Sequence, residues 1–130
     1  MLVVDASVLY EALTGTQRAQ QIRQRLVVDG DLLAPHIIDV EVLGVIRRDH
    51  LLGRLDNTAA TQAVDDLHDW PAERVGHRPF LYRAWELRST VRGWDAMYVA
   101  LAEAVGATLL TVDARLVAAP GPTCAFELVA

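Results

Sequence analysis

Two short apolar runs, each ending in an aspartate, constrain this chain more than anything else in it. Leu2-Val3-Val4 leads into Asp5, and Ala107 to Val112 leads into Asp113. Neither run alternates apolar and polar residues as a half-exposed strand would. Strands of this kind are covered on both faces, as in a parallel sheet with helices on either side. The intervening chain fits that plan. Helical patterns are read over Ser7 to Leu13 and from Thr16 to about Val28. Another follows Pro35, with Ile38, Val42, Val45 and Ile46 at helical spacing, then Asp56 to Trp70, Pro79 to about Val91, and Trp94 to Val105. Further strands are expected at Leu32 to Ala34, Ala72 to Gly76 and, at an edge, Thr123 to Val129. The expected architecture is a three-layer α/β/α sandwich around a central, mainly parallel sheet, with residues 1–130 forming one domain.

In such a sheet, functional groups gather beyond the carboxyl ends of the strands. Asp5 and Asp113 sit there by construction. Glu41 lies in the first turns of the helix after the second strand. Asp95 lies at the start of Trp94-Asp95-Ala-Met-Tyr-Val-Ala-Leu-Ala, a segment otherwise almost wholly apolar. Each acid has an ordinary structural role open to it. Asp5 could cap the first helix, Glu41 could face solvent, Asp95 could answer a helix dipole and Asp113 could form a turn. Those roles do not account for all four acids at one rim.

Four converging carboxylates repel one another unless a cation neutralises them. Mg²⁺ or Mn²⁺ suits an all-oxygen donor set. Two such ions roughly 3.5–4 Å apart would stabilise the attacking and leaving oxygens of a phosphodiester. The charge balance allows a nucleic-acid substrate. The net charge is −5, but subtracting the four acids from 17 leaves 13 against 12 basic residues, all of them arginine. The lone Cys124 forms no internal disulfide, no run is long enough to span a membrane and no export signal is evident. A cytoplasmic location is expected.

The segments Leu-Val-Val-Asp-Ala-Ser (2–7), Glu41-Val-Leu, Trp94-Asp95-Ala-Met-Tyr-Val-Ala-Leu-Ala-Glu (94–103) and Leu-Leu-Thr-Val-Asp-Ala-Arg-Leu (109–116) resemble the four motif regions of PIN domains. More narrowly, they resemble the VapC toxin ribonucleases of type II toxin–antitoxin pairs. The order and spacing agree over nearly the whole chain, with Trp94 where the family often has tyrosine. The resemblance implies Asp5, Glu41, Asp95 and Asp113 as metal-binding and catalytic acids. It implies Ser7 and Thr111 as hydroxyl-bearing support. It also implies a homodimer, a small cognate antitoxin that covers the groove in a hetero-oligomer, and cleavage of structured RNA such as tRNA or rRNA. Arg115 is the expected phosphate contact or orienting cation beside Asp113.

Two other readings of the acidic rim are a non-toxin RNA-processing nuclease and a non-catalytic module that binds metal or a partner. Aspartyl phosphoryl transfer is disfavoured, because that chemistry uses a lysine and the chain has none. Asp39 lies about 200° from Glu41 around the helix and is assigned to the helix start instead. His36, His50, His68 and His77 share no metal-ligand spacing and are read as loop or surface residues. Trp70 and Trp85 are expected in the core or at a dimer contact, and Cys124 as a small buried side chain of the edge strand. Arg47, Arg48 and Arg92 could reach an RNA phosphate, but each taken singly reads first as an ordinary solvated arginine.

Overall fold

A computed structural model describes residues 1–130. Five strands form one sheet: β1 (Leu2–Val4), β2 (Leu32–Pro35), β3 (Glu73–Val75), β4 (Thr108–Thr111) and β5 (Phe126–Leu128). Their order is β3-β2-β1-β4-β5, and every neighbouring pair is parallel. The expected mainly parallel sheet is therefore wholly parallel. Seven helices surround it: α1 (Ala6–Thr14), α2 (Ala19–Asp29), α3 (Ile37–Leu51), α4 (Asn57–Asp69), α5 (Leu81–Glu86), α6 (Asp95–Val105) and α7 (Ala114–Ala118). Helix α6 lies against β1, β2 and β4 with α5 packed on it, while α1 to α4 pack on one another, with α1 against β4 and α3 against β2. This is the three-layer α/β/α sandwich.

Burial explains the run-on apolar character of the inner strands. Leu2, Val3, Val4, Leu109 and Leu110 are all essentially inaccessible to water, and they belong to a continuous core of 28 buried residues. Strands buried on both sides have no polar face to show. The chain moves from β1 outward through β2 to β3, then crosses back to place β4 on the other side of β1. The order reverses between β1 and β4, and a crevice opens at the carboxyl ends of strands at such a point.

Three local departures from the sequence reading have physical causes. The stretch from Pro79 to Val91 is not one helix. A 3-10 turn (Arg78–Phe80) leads into the short α5, and a series of turns follows. Ser89 and Thr90 are weak helix formers, and the Thr90 hydroxyl donates to the Leu87 carbonyl at 3.5 Å. Buried Leu87 and Val91 anchor that segment to the core. Helix α7 was not foreseen, because five residues are too few for a periodic signal. It starts where the Asp113 side chain accepts from the Arg115 amide at 2.9 Å. Cys124 is half-buried rather than buried, and it lies in the bend before β5 rather than within it.

Candidate active site

The site is built at the β1/β4 crevice. Val4 pairs with Leu110, so the next residues along, Asp5 and Thr111, emerge side by side at the rim. The Asp5 amide continues the ladder by donating to the Leu110 carbonyl at 3.3 Å. Asp5 also caps α1. Its Oδ1 accepts from the Ser7 hydroxyl at 2.6 Å and from the Val8 amide at 3.0 Å. The capping role and the site role therefore coexist in one side chain. Burial pushes the Asp5 carboxyl up, opposed by hydrogen bonds from Ser7, Thr111 and the α1 backbone.

Glu41 projects from α3. Its Oε1 accepts a 2.8 Å hydrogen bond from the hydroxyl of Tyr98 on α6. Tyr98 is only 1% exposed, so its hydroxyl has no water to turn to and is committed to Glu41. Burial raises the Glu41 carboxyl above its usual range. The Tyr98 bond opposes this, and the charges of Asp95 and Asp5 add to it.

Asp95 reaches the same rim because a helix that feeds a parallel strand through a tight turn must run antiparallel to it. Gly106, at φ 68°, makes that turn between α6 and β4, in a left-handed conformation that glycine adopts without strain. The opposite end of α6, carrying Asp95, is thereby returned to the carboxyl side of the sheet. Asp95 makes no hydrogen bond to the protein. Burial, followed by the charges of Asp5 and Asp113, pushes it from 3.8 up to about 6, and Arg92 works against the shift. Asp113 leaves β4 at the rim, with its amide donating to the Thr111 hydroxyl at 3.1 Å and its carboxylate 3.9 Å from the Arg115 guanidinium.

Asp5, Glu41, Asp95 and Asp113 all line one cavity of about 700 Å³. Asp95 and Asp113 also line a smaller hollow of about 120 Å³ shared with Arg92 and Arg115. The acidic pair thus stands between two recesses. No three of the acids are gathered closely enough to hold an ion as they stand. Mg²⁺ needs only one or two carboxylates, because it keeps several of its waters. The donor set of hard carboxylate oxygens, three of them (on Asp5, Glu41 and Asp95) with raised proton affinities, fits such a cation.

The supporting residues divide. Ser7 and Thr111 both hydrogen-bond to Asp5. Arg115 is beside Asp113 but highly exposed. Arg48 and Arg92 line the large cavity, whereas Arg47 does not. Asp39 points elsewhere and pairs with Arg74 at 3.0 Å. The Arg74 guanidinium also donates to the carbonyls of Leu67, Trp70 and Ala72 and lies 4.8 Å from the Trp70 ring centroid. Trp70 packs partly buried against the core. Trp85 is not a core residue; it is largely exposed, with Arg88 stacked 4.3 Å from its ring centroid. His36 and His68 are exposed. His50 and His77 are half-buried rather than on the surface, and His50 faces the Leu55 carbonyl at 3.0 Å.

Sequence reasoning missed Tyr98 and Tyr10. Tyr98 reads as one more apolar residue of α6, and only its buried hydroxyl distinguishes it. Tyr10 lines the cavity and donates to Asp49, a buried acid that also lies near Arg48 and Arg54. Burial first, then the bond to Asp49, pushes Tyr10 up to about 12.

A wholly parallel α/β/α sandwich with an acidic rim at its switch point defines a structural class rather than one protein. The PIN domain family matches residues 2–122. Ribonuclease VapC1 of Mycobacterium tuberculosis is 39% identical over 128 residues, covering 98% of this chain and 96% of the relative. Ribonuclease VapC12 of the same organism is 37% identical over 131 residues, covering both chains completely. In fold, the chain is similar to the crystal structure of VapBC2 from Rickettsia felis bound to a promoter DNA fragment. The TM-score is 0.72 at 14% identity, over 98% of this chain and 97% of that one. The chain belongs to the PIN-domain family, among its VapC ribonucleases.

Proposed function

We propose that this protein is a Mg²⁺- or Mn²⁺-dependent endoribonuclease, the toxin of a type II toxin–antitoxin pair. One observation carries the reading: four carboxylates, drawn from positions 5 to 113 and from separate elements, line one cavity. Residues 1–130 are read as a single nuclease domain, consistent with the one continuous core. The relatives named as VapC ribonucleases support RNA as the substrate, with tRNA or rRNA the expected targets. The VapBC2 complex supports a small antitoxin as the cognate partner. A homodimer of this chain within that hetero-oligomer is part of the proposal. No helix is long and apolar enough to cross a membrane. A cytoplasmic site of action is part of the proposal.

Asp5 and Asp95 are assigned as direct ligands, with Glu41 and Asp113 completing the set. A divalent cation held there supplies Lewis-acid polarisation of a phosphate oxygen and lowers the pKa of an attacking water. Ser7 and Thr111 fix Asp5, Tyr98 fixes Glu41, and Asp113 is tied to the start of α7. Asp95, whose carboxylate has no hydrogen-bond partner in the protein, is the proposed ligand best able to adjust its position to a cation. Arg92 and Arg115 are placed to meet backbone phosphates on the side of the smaller hollow.

The test is cleavage of RNA by the purified protein in Mg²⁺ or Mn²⁺. Wild type should cut, EDTA should stop it, and Asp5→Asn and Asp95→Asn should fold normally but fail to cut. Equal cutting by all three proteins, with and without EDTA, would refute the assignment.

A further inference from the structure

The chain has three tryptophans, and two of them carry an arginine over the ring: Arg74 on Trp70 and Arg88 on Trp85. Trp94 has no such cover. It is 62% exposed and lines the same cavity as the four carboxylates. Across that cavity α3 contributes Val40, 67% exposed. Neither side chain can ligate a cation or bind a phosphate. Apolar surface left in water at the mouth of a charged cleft marks a contact surface.

The backbone holds Trp94 in a defined place. Gly93, at φ 56°, turns the chain immediately before it, and the Met97 amide donates to the Trp94 carbonyl at 2.9 Å as α6 begins. The Trp94 backbone is therefore held at the start of α6, one residue from Asp95. Asp95 in turn borders both the large cavity and the smaller hollow with Arg92 and Arg115. A strand laid across the acids would leave one recess for the other, and a base on the large-cavity side would come to Trp94.

We infer that Trp94 is a stacking platform for an unpaired nucleobase next to the phosphate that is cut. Every base has a flat π face, and stacking on an aromatic side chain is tolerant of sequence. A paired base has both faces covered, so this platform selects for unpaired nucleotides at the cut site. The inference rests on the ribonuclease reading and adds to it a residue outside the acidic set.

The experiment measures binding of a short fluorescein-labelled single-stranded RNA by anisotropy in Ca²⁺. Wild type, Trp94→Ala and Trp94→Phe are compared, with Mn²⁺ titrated calorimetrically into each. Trp94→Ala should weaken RNA binding by about 10- to 100-fold, and Trp94→Phe by no more than about threefold. Mn²⁺ affinity should be equal in all three, and a duplex of the same sequence should bind weakly and alike to all. Unchanged RNA binding by Trp94→Ala overturns the inference, as does a parallel loss of Mn²⁺ affinity. Normal RNA binding with loss of a protein partner also overturns it, assigning the indole to that contact. If wild type binds RNA in a Trp94-dependent way but never cuts it, the platform stands and the nuclease reading falls. If wild type binds no RNA, both fall.

Discussion

Replacing Asp95 by asparagine should make the metal-free protein more stable while removing its activity. Asp95 is raised from 3.8 to about 6 by burial and by the charges of Asp5 and Asp113. At roughly 1.4 kcal/mol per pKa unit, keeping it ionised at pH 7 costs the fold about 3 kcal/mol. The side chain is only partly buried, and solvent screening reduces this to about 1–2 kcal/mol. The sign follows from proton counting. Between pH 4 and pH 6 the folded chain holds a proton on Asp95 that the unfolded chain has lost. Stability therefore falls as pH rises through that window, and the full cost is present above it. Asp5 and Glu41 are raised as well and act in the same direction. Urea denaturation in EDTA at pH 7 should show Asp95→Asn more stable than wild type by about 1–2 kcal/mol, with the gain shrinking toward pH 4. Saturating Mg²⁺ should raise the Tm of wild type and move that of the variant little. A variant less stable than wild type at pH 7 in EDTA would mean that the carboxylates do not strain the fold.

Other substitutions probe the supports. Tyr98→Phe keeps the buried ring but removes the 2.8 Å bond to Glu41. It should cost about 0.5–1.5 kcal/mol in denaturation and lower Mn²⁺ affinity about tenfold. In a Glu41→Gln background the loss of Mn²⁺ affinity should vanish. Arg74→Ala strips Asp39 and the carbonyls of Leu67, Trp70 and Ala72 of a shared donor. It should lower stability by about 2–3 kcal/mol by thermal or urea melting, with RNA cleavage per folded molecule unchanged. Ser7→Ala removes one hydrogen bond to Asp5 and should reduce kcat by about tenfold without unfolding the protein, as checked by circular dichroism.

The inner sheet and the acids were readable because their signals are local and strong. A run such as Leu2-Val3-Val4 followed by Asp5 states both double-sided burial and a position at the strand's carboxyl end. Asp95 was the less direct case, since its helix precedes its strand. The tight Gly106 turn resolves it by forcing α6 antiparallel to β4. What the sequence hid is what depends on tertiary partners. Helix α7 is too short to have a period. Nothing in the run around Tyr98 separates a packing ring from one whose hydroxyl holds Glu41. Trp85 reads equally as core or as a dimer contact, and only its exposure on α5 under Arg88 excludes the core.

The placement of the cation is most directly tested by crystals soaked in Mn²⁺ and measured for anomalous scattering. The expected result is a peak in the large cavity within ligating reach of Asp5 and Asp95, absent from crystals of Asp5→Asn. A cavity that stays empty at saturating Mn²⁺, or a peak held by residues away from these acids, would contradict it.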